Sequence, residues 1–219
     1  MLSKRLQRVL DFIEPNDFIA DIGCDHGYLS LYAIKKGVKF AQLVDNKIGP
    51  LNVAKKNLSK EESQAEIKYS LSSGLSDINK KVNTIAICGM GGDLISKILT
   101  EDLDVAKRMK HLILEANSKV DVLRKIISDN SFEIIDEDVV YEKGKYYEIL
   151  VIKFNENAKQ LSSIEIEFGP ILINKMTDVY KNYLNDKVDK LKKIISKNHE
   201  SKENLEIKIN NINKILNKI

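Results

Sequence analysis

Residues 20–29 read Ala-Asp-Ile-Gly-Cys-Asp-His-Gly-Tyr-Leu, and this stretch decides the fold. The apolar run at 18–22 before the first glycine is typical of a buried strand, and residues 29–36 have the pattern of a helix. Glycines at a strand-to-helix turn let a ligand approach the backbone, and the first turn of the helix offers unpaired N–H groups. The sequence therefore predicts a ligand site here, with Gly23 and Gly27 in contact with the ligand.

The acidic residues of this turn indicate which kind of ligand binds. Asp25 stands where nicotinamide enzymes have their middle glycine, and Asp21 precedes the turn. Their carboxylates would repel a pyrophosphate but attract the positively charged amino group and sulfonium centre of S-adenosylmethionine. Asp45 follows Asp21 by 24 residues, at a strand end where an acid accepts hydrogen bonds from ribose hydroxyls. We expect these three residues and His26 to bind such a cofactor.

A second glycine-rich turn, Cys-Gly-Met-Gly-Gly-Asp at residues 88–93, follows the fourth predicted strand. Strand ends of an open α/β sheet form the ligand crevice, so this bare backbone should lie beside the reactive end of the cofactor. We expect Gly89, Met90 and Gly91 to contact it. For Met90, a position in the hydrophobic core is an equally good interpretation.

The chain alternates between strand and helix through most of its length. Strands are predicted at residues 18–22, 40–44, 65–70, 84–88 and 112–115, with helices at 29–36, 50–58, 94–99 and 119–128. This alternation predicts a parallel sheet with crossovers. Two further β-rich runs at 132–141 and 146–154 are so close that only an antiparallel hairpin can join them. The fold class is α/β, and a seven-stranded, mostly parallel sheet with one antiparallel strand is similar to the Rossmann-like class I methyltransferase domain.

The last part of the chain has only helical patterns, so we divide it into a Rossmann-like domain at 1–160 and a helical coiled-coil domain at 161–219. Apolar residues recur at steps of three and four within 180–195 and 205–219, separated by a polar stretch at 198–204. An antiparallel helical hairpin is the simplest arrangement. It either stabilises the fold or contacts RNA, with phosphate contacts expected from Lys190, Lys192, Lys193 and Lys197.

Composition excludes several classes of protein. There are 35 basic and 32 acidic residues, giving a net charge of +3, which is compatible with nucleic-acid binding but does not argue for it. No apolar run is long enough to span a membrane and no secretion signal is present, so we expect a cytoplasmic protein. Two cysteines and three scattered histidines, of which His199 falls in the predicted hairpin loop, give no metal site. We expect a monomer.

Several motifs together resemble the TrmK family, bacterial enzymes that methylate ring nitrogen 1 of adenine 22 in tRNA with S-adenosylmethionine. The motifs are Leu-Ser-Lys-Arg-Leu at 2–6, the turn at 21–29, Gly-Pro at 49–50, Cys-Gly-Met-Gly-Gly-Asp-Leu-Ile at 88–95, Tyr-Glu-Ile-Leu at 147–150 and Phe-Gly-Pro at 168–170. The resemblance covers essentially the whole chain. It implies a class I methyltransferase domain followed by a helical domain, with tRNA as the substrate.

The sequence departs from the family pattern at two turns. Glu115-Ala116-Asn117 stands where the family usually has Gln-Pro-Asn, which affects the expected contacts with the target base. Ser72-Ser73-Gly74 stands where the family usually has Gly-Asp-Gly. This second change removes a carboxylate expected near the cofactor's adenine amino group, and Ser73 can replace only part of its hydrogen bonding.

The implied reaction assigns roles to the remaining polar residues. Asp25, Asp93 and Asn117 are the candidate catalytic residues. For the tRNA, the expected contacts are Lys4, Arg5, Arg8, Tyr28, Glu115 and Asn117. Two alternatives stay open, a class I methyltransferase acting on another substrate and an RNA-binding module that kept the fold without turnover.

Overall fold

The structure is a computed structural model that describes residues 2–196 and 202–217. Lys197, His199 and Ile219, which the sequence analysis placed in the helical hairpin, lie outside the described residues. The strands are β1 (Phe18–Ile22), β2 (Phe40–Asp45), β3 (Glu66–Leu71), β4 (Thr84–Met90), β5 (His111–Ala116), β6 (Phe132–Glu142) and β7 (Lys145–Phe154). The helices are α1 (Lys4–Asp11), α2 (Tyr28–Lys36), α3 (Ile48–Leu58), α4 (Gly92–Glu101), α5 (Leu103–Lys107), α6 (Val120–Asp129), α7 (Ser163–Phe168), α8 (Leu172–Lys175), α9 (Asp178–Ile195) and α10 (Lys202–Leu216).

The seven strands form one sheet in the order β3-β2-β1-β4-β5-β7-β6. The first five strands are parallel, whereas β7 is antiparallel to both of its neighbours, β5 and β6. The predicted α/β fold class is confirmed. Strand order reverses between β1 and β4, and the carboxyl ends of these two strands therefore diverge into a crevice where open α/β sheets bind ligands.

Alternating side chains divide the core into two layers, one on each face of the sheet. In β1, Ala20 and Ile22 pack with α4 and α6 on one face, and Ile19 packs with α1, α2 and α3 on the other. Side chains of a strand alternate between the two faces, so a strand buried on both faces reads as a continuous apolar run. The rigid sheet fixes the positions of the turns at its carboxyl edge.

Helices α7 to α10 pack onto the β6–β7 hairpin through a third cluster. Tyr180, Leu184 and Val188 of α9 are buried with Val139 of β6. The tail is therefore docked on the sheet along this face. In α10, Ile212 and Ile215 are buried, and Leu205, Ile209 and Leu216 of the predicted seam are half-buried. Ile209 and Leu216 pack against this cluster. The coiled-coil geometry remains a prediction.

A buried charged cluster joins the tail to the sheet. Arg124 of α6 is fully buried and its guanidinium binds Glu137 at 2.8 Å and Glu148 at 2.5 Å. Glu137 also accepts the backbone N–H of Ile171 at 2.9 Å, and Glu148 accepts the Tyr183 hydroxyl at 2.8 Å. Burial of charged groups is tolerated when each is paired and hydrogen-bonded. The division at 160/161 remains a prediction, because this cluster crosses it.

Within residues 2–196 and 202–217, no helix combines the length and the apolar character that a membrane span requires. Over the same ranges, no group of three or more His, Cys, Asp or Glu side chains is placed to bind a metal ion.

Candidate functional site

A cleft of about 670 Å³ lies at the carboxyl ends of β1, β2 and β4. Both predicted glycine-rich turns border it, and so do the three predicted acids. The predicted site residues that line it are Asp21, Gly23, Asp25, His26, Tyr28, Asp45, Ser73, Gly89 and Met90, together with Arg5. The sheet thus brings together residues from five separate segments of the chain.

Asp21 lies at the floor of the cleft and is almost completely buried. Its carboxylate accepts a hydrogen bond from the Ser30 hydroxyl at 2.9 Å. Burial raises the pKa of Asp21 from 3.8 to about 6, against the opposing effect of Ser30. A carboxylate with this desolvation cost is stabilised when a cationic ligand binds nearby.

The conformation of the turn after β1 favours glycine at position 23. Gly23 has a φ of +69°, a left-handed conformation that side chains disfavour. A Cβ on Gly23 would also fall 2.3 Å from the Cε of Met90. The backbone N–H groups of Gly23 and Cys24 both donate to the Val44 carbonyl, at 2.8 and 3.1 Å, which ties this turn to the end of β2. Met90 is half-buried, so it combines the core and cleft positions that the sequence left open.

Asp45 and Asp25 place further carboxylates around the cleft. Asp45 ends β2 and its side chain accepts the backbone N–H of Lys47 at 2.9 Å. Asp25 sits at the opening in a left-handed conformation (φ 48°), with 73% of its side chain exposed. His26 lies 3.7 Å from the Asp25 carboxylate, and its ring is 5.8 Å from that of Tyr28. The opening is therefore acidic and aromatic.

Asn117 organises the turn after β4 from the neighbouring strand end. Its side-chain amide donates to the Gly89 carbonyl at 2.7 Å, and its backbone N–H donates to the Met90 carbonyl at 2.8 Å. Gly89 has a φ of +77°. Because β4 and β5 are adjacent parallel strands, their turns meet at this edge. Asn117 therefore acts on the cleft through the Gly89–Met90 backbone, and its own side chain lies outside the lining of the cleft.

Arg5 and Glu115 form an ion pair beside the same turn. The Arg5 guanidinium binds the Glu115 carboxylate, which also accepts the Gly89 N–H at 2.9 Å. Glu115 is fully buried, and its Oε1 has no hydrogen-bond partner within the described ranges. Burial raises the pKa of Glu115, although Arg5 opposes the rise. Arg5 lines the cleft, whereas Glu115 does not. The sequence predicts RNA contacts for both residues, and those contacts remain a prediction.

Three other expected site residues do not line the cleft. Gly27 packs tightly instead, since a Cβ there would meet side chains of β2 and α3 at 2.9 Å. Gly91 precedes α4, where a Cβ would meet the Ser118 hydroxyl at 3.3 Å. The carboxylate of Asp93 lies 2.5 Å from the ammonium of Lys119. These residues shape the turns around the cleft without lining it.

Lys4 and Arg8 also lie outside the cleft, on the side of α1 that meets β6. The backbone N–H of Lys4 donates to Glu142 at 2.8 Å. The Arg8 guanidinium lies 2.5 Å from Asp138 and 3.4 Å from Asp11. Contact of these side chains with RNA remains a prediction.

The sequence analysis missed several residues that the structure brings to the cleft. Lys47 and Lys97 add cationic groups, and Ser72 contributes a buried hydroxyl with no hydrogen-bond partner in the described part of the chain. Position could have revealed Ser72 and Lys47, because both closely follow strand ends. Lys97 could not be found in this way, since it lies on α4 and reaches the cleft through the packing of that helix.

The two cysteines near the cleft are not poised for nucleophilic attack. Cys24 is buried and Cys88 is half-buried. Burial raises the pKa of both thiols, and the carboxylates of Asp21 and Glu115 contribute to the rise. Since the thiolate is the reactive form of cysteine, both side chains remain unreactive at neutral pH.

A family model matches residues 19–219 of the chain: TrmK, tRNA (adenine(22)-N(1))-methyltransferase. The chain belongs to the TrmK family. A tRNA (adenine(22)-N(1))-methyltransferase of Bacillus subtilis (strain 168) is 33% identical over 176 residues, which cover 78% of this chain and 73% of the relative. The family predicted from the sequence motifs is confirmed.

Solved structures extend the similarity over almost the whole chain. M. capricolum TrmK, in complex with S-adenosyl-homocysteine, has a TM-score of 0.84 and 32% identity, covering 98% of this chain and 97% of that one. A Streptococcus pneumoniae structure in complex with S-adenosyl-L-methionine has a TM-score of 0.91 and 33% identity, covering 99% of this chain and 100% of that one. The helical tail of this TrmK family member is thus shared with these structures.

Proposed function

We propose that the protein transfers a methyl group from S-adenosylmethionine to ring nitrogen 1 of adenine 22 in tRNA. The observation that carries this proposal is the cleft: Asp21, Asp25 and Asp45 surround a turn that closes against Met90, in a chain of the TrmK family. The M. capricolum relative was solved with S-adenosyl-homocysteine, the natural cofactor product.

The residues of the cleft fit this cofactor. Asp21 is a buried carboxylate without a cationic partner in the described ranges, and the buried Ser72 hydroxyl lacks a hydrogen-bond partner there. A ligand with an amino group, a sulfonium charge and ribose hydroxyls supplies the missing partners. We propose that Asp21 and Asp25 balance its positive charge, and that Asp45 accepts hydrogen bonds from its ribose.

The chain's residues contribute mainly by positioning. When bound, S-adenosylmethionine supplies a methyl group activated by the sulfonium. Ring nitrogen 1 of adenine has a free lone pair, so no side chain has to remove a proton before attack. Holding the two reactants in line is then the main source of rate acceleration. Asn117 and Glu115 make the Gly89 turn rigid. The Asn117 amide donates to the Gly89 carbonyl, and the Glu115 carboxylate accepts the Gly89 N–H.

We propose that Asp25 stabilises the positive charge that develops on the target base. Of the three carboxylates considered for this role, the Asp25 side chain lines the cleft, whereas Asp93 and Glu115 lie outside it and are paired with Lys119 and Arg5. A preorganised charge aimed at a developing charge lowers the barrier directly. We expect Asp25→Asn to reduce kcat by about tenfold or more and Asp93→Asn to leave kcat within about twofold of the wild type. The difference is expected because the Asp93 carboxylate lies outside the cleft. Equal losses in the two variants would refute this assignment.

The function is tested by transfer of labelled methyl from S-adenosylmethionine to unmodified tRNA transcripts. Two transcripts that differ only in having adenine or guanine at position 22 are compared. We expect incorporation into the adenine transcript alone. Calorimetric titration with S-adenosylmethionine is carried out in parallel. It distinguishes a loss of methylation caused by failure to bind the cofactor from one caused by the wrong tRNA substrate. If the cofactor binds but neither transcript is methylated, the proposed substrate is wrong.

A further inference from the structure

A second cavity, of about 370 Å³, lies between the turn after β5 and the helical tail. We call it the tail cavity. Its walls come from residues 116–121, from β7 and from α7, α9 and α10. Its volume falls within the range of about 300–1,000 Å³ that is usual for ligand sites. It is separate from the cofactor cleft, and the reaction described above does not use it.

Tyrosine side chains form one wall of the tail cavity. Tyr146 and Tyr183 line it, with ring centroids 4.9 Å apart. Tyr141 continues the row towards solvent at 4.7 Å from Tyr146, and 48% of Tyr141 is exposed. The Tyr183 hydroxyl donates a hydrogen bond to the Glu148 carboxylate at 2.8 Å. Rows of partly exposed aromatic rings are the usual platforms for unpaired bases.

Four lysines stand at the tail cavity: Lys119, Lys187, Lys190 and Lys208. Lys119 and Lys208 have carboxylate partners, Asp93 and Glu167. Within residues 2–196 and 202–217, Lys187 and Lys190 have no ion-pair partner, and the Lys187 ammonium stands 4.3 Å from the centre of the Tyr183 ring. Arg124 is shared between Glu148 and Glu137, and Asp121 also lines the cavity, so the charges around it are of both signs. The two unpaired lysines of α9 are the groups that suit a phosphate.

Asn117 connects the tail cavity to the cofactor cleft. It lines the tail cavity, and its side-chain amide holds the Gly89 carbonyl of the cleft at 2.7 Å. Ring nitrogen 1 lies on the pairing edge of adenine, so the target base must leave its stack before it can react. Its neighbour in the strand then loses a stacking partner. A second binding site next to the cleft would compensate for that loss.

We propose that the tail cavity binds a nucleotide adjacent to the target adenine in the tRNA. Its base stacks on Tyr146, and its phosphate is bound by Lys187 and Lys190. This inference rests on the proposed function for the identity of the RNA. It goes further in giving the helical tail a defined part in holding the deformed strand.

The test uses the full-length protein and a full-length tRNA transcript. Tyr146→Ala removes the stacking surface, whereas Tyr146→Phe keeps the ring and loses only the hydroxyl that faces Asp186. We expect Tyr146→Ala to weaken tRNA affinity by about tenfold, as is typical for loss of one base–aromatic contact. Tyr146→Phe should bind within about twofold of the wild type. Cofactor affinity and melting temperature are measured for each variant to exclude misfolding.

The lysines are tested against a control that removes the same amount of charge elsewhere on the surface. The double variant Lys187→Gln/Lys190→Gln is compared with Lys153→Gln/Lys159→Gln. The control removes the half-buried Lys153 at the far end of β7, which pairs with Glu133, and the exposed Lys159 beyond that strand. We expect the first pair to weaken tRNA binding and to lower the slope of log K against log salt by about one to two, whereas the control changes the slope little. Equal effects of the two doubles would overturn the proposal.

Direct evidence of stacking comes from tRNA carrying 2-aminopurine at position 21 or 23. With S-adenosyl-homocysteine present, we expect fluorescence of one of these probes to be quenched by wild type and by Tyr146→Phe, and to recover in Tyr146→Ala. No difference between Tyr146→Ala and wild type at either position would overturn the proposal. These measurements of tRNA binding do not require methyl transfer. If adenine 22 is not methylated, the proposed function is wrong, and the binding measurements still test the proposal for the tail cavity.

Discussion

At the scale of single residues, Arg5 compensates the buried negative charge of Glu115 next to the cleft. Glu115 is fully buried, and apart from Arg5 its carboxylate is held, among the described residues, only by the Gly89 N–H. Removing one partner of a buried ion pair leaves an uncompensated charge. We expect Arg5→Ala to lower the free energy of unfolding by about 3 kcal/mol, measured by urea denaturation. Arg5→Ala/Glu115→Gln should recover most of that loss, and a double variant no more stable than the single one would contradict this explanation.

The acidic partners of Arg5 and Arg8 could not be predicted from the sequence. Lys4, Arg5 and Arg8 form a basic cluster on a helix, and such a cluster suggests phosphate contacts. The acidic partners Glu115 and Asp138 lie more than a hundred residues further along the chain. Only the folded sheet brings them to α1. By contrast, the meeting of Asp21, Asp25 and Asp45 at one cleft could be predicted, because each lies at or just after a strand end and strand ends share one edge of the sheet.

Asp21 gives a prediction for the pH dependence of stability. Burial raises its pKa from 3.8 to about 6. The folded state therefore keeps a proton that the unfolded state has lost, and this group makes stability fall as the pH rises between these values. We expect Asp21→Asn to be more stable than the wild type by about 2 to 3 kcal/mol above pH 6, with no difference below about pH 4. Thermal unfolding across a range of about pH 3.5 to 8 measures this, and a constant difference at all pH values would show another cause. The same variant should bind S-adenosylmethionine more weakly.

At the scale of elements, the start of α4 lies unusually close to the turn before α6. A Cβ on Gly92 would fall 2.1 Å from the Lys119 carbonyl oxygen, which is backbone and cannot rotate away. The N–H of Gly92 donates to the Ser118 carbonyl at 2.8 Å. We expect Gly92→Ala to lower stability by about 2 to 3 kcal/mol and to reduce kcat, because it separates Asn117 from Gly89. Thermal unfolding and methyl transfer measure the two effects.

Gly49 provides the matched control for this substitution. It lies in α3, where a Cβ added to its backbone would have no described atom within 4 Å other than those of its chain neighbours. We expect Gly49→Ala to change the free energy of unfolding by less than about 0.5 kcal/mol, since the better helix propensity of alanine is opposed by the steric restriction on a residue before proline, here Pro50. If Gly49→Ala loses as much stability as Gly92→Ala, the close approach at Gly92 is not the cause.

The elements themselves could be predicted to within two residues for most strands, because continuous apolar runs and glycine turns delimit them. The short helices α5, α7 and α8 were missed, since four to six residues do not establish a helical period. The close packing at Gly92 was missed for a different reason. The sequence shows that a glycine is present, but it does not show which backbone approaches it.

At the scale of the whole molecule, the tail is part of the folded unit. Predicted from its apolar stripes, the tail would bury its two helices against each other. In the structure α9 also covers the β6–β7 hairpin. The fully buried Arg124 of α6 binds Glu137 of β6 and Glu148 of β7. The sequence places Arg124, Glu137 and Glu148 among many exposed charged residues. Nothing in their local pattern distinguishes them, because their burial depends on the docking of the tail.

The role of this cluster can be measured in the intact chain. Arg124→Met keeps most of the side-chain volume and leaves Glu137 and Glu148 buried without their cation. Breaking a buried ion pair in this way costs about 3 to 5 kcal/mol, so we expect a large loss of stability in urea denaturation. Arg124→Met/Glu137→Gln/Glu148→Gln should recover part of it, because no buried charge remains. If tail and sheet domain are one cooperative unit, both variants unfold in a single transition by every probe. A separate early transition of the tail in the wild type would instead support the predicted division at 160/161.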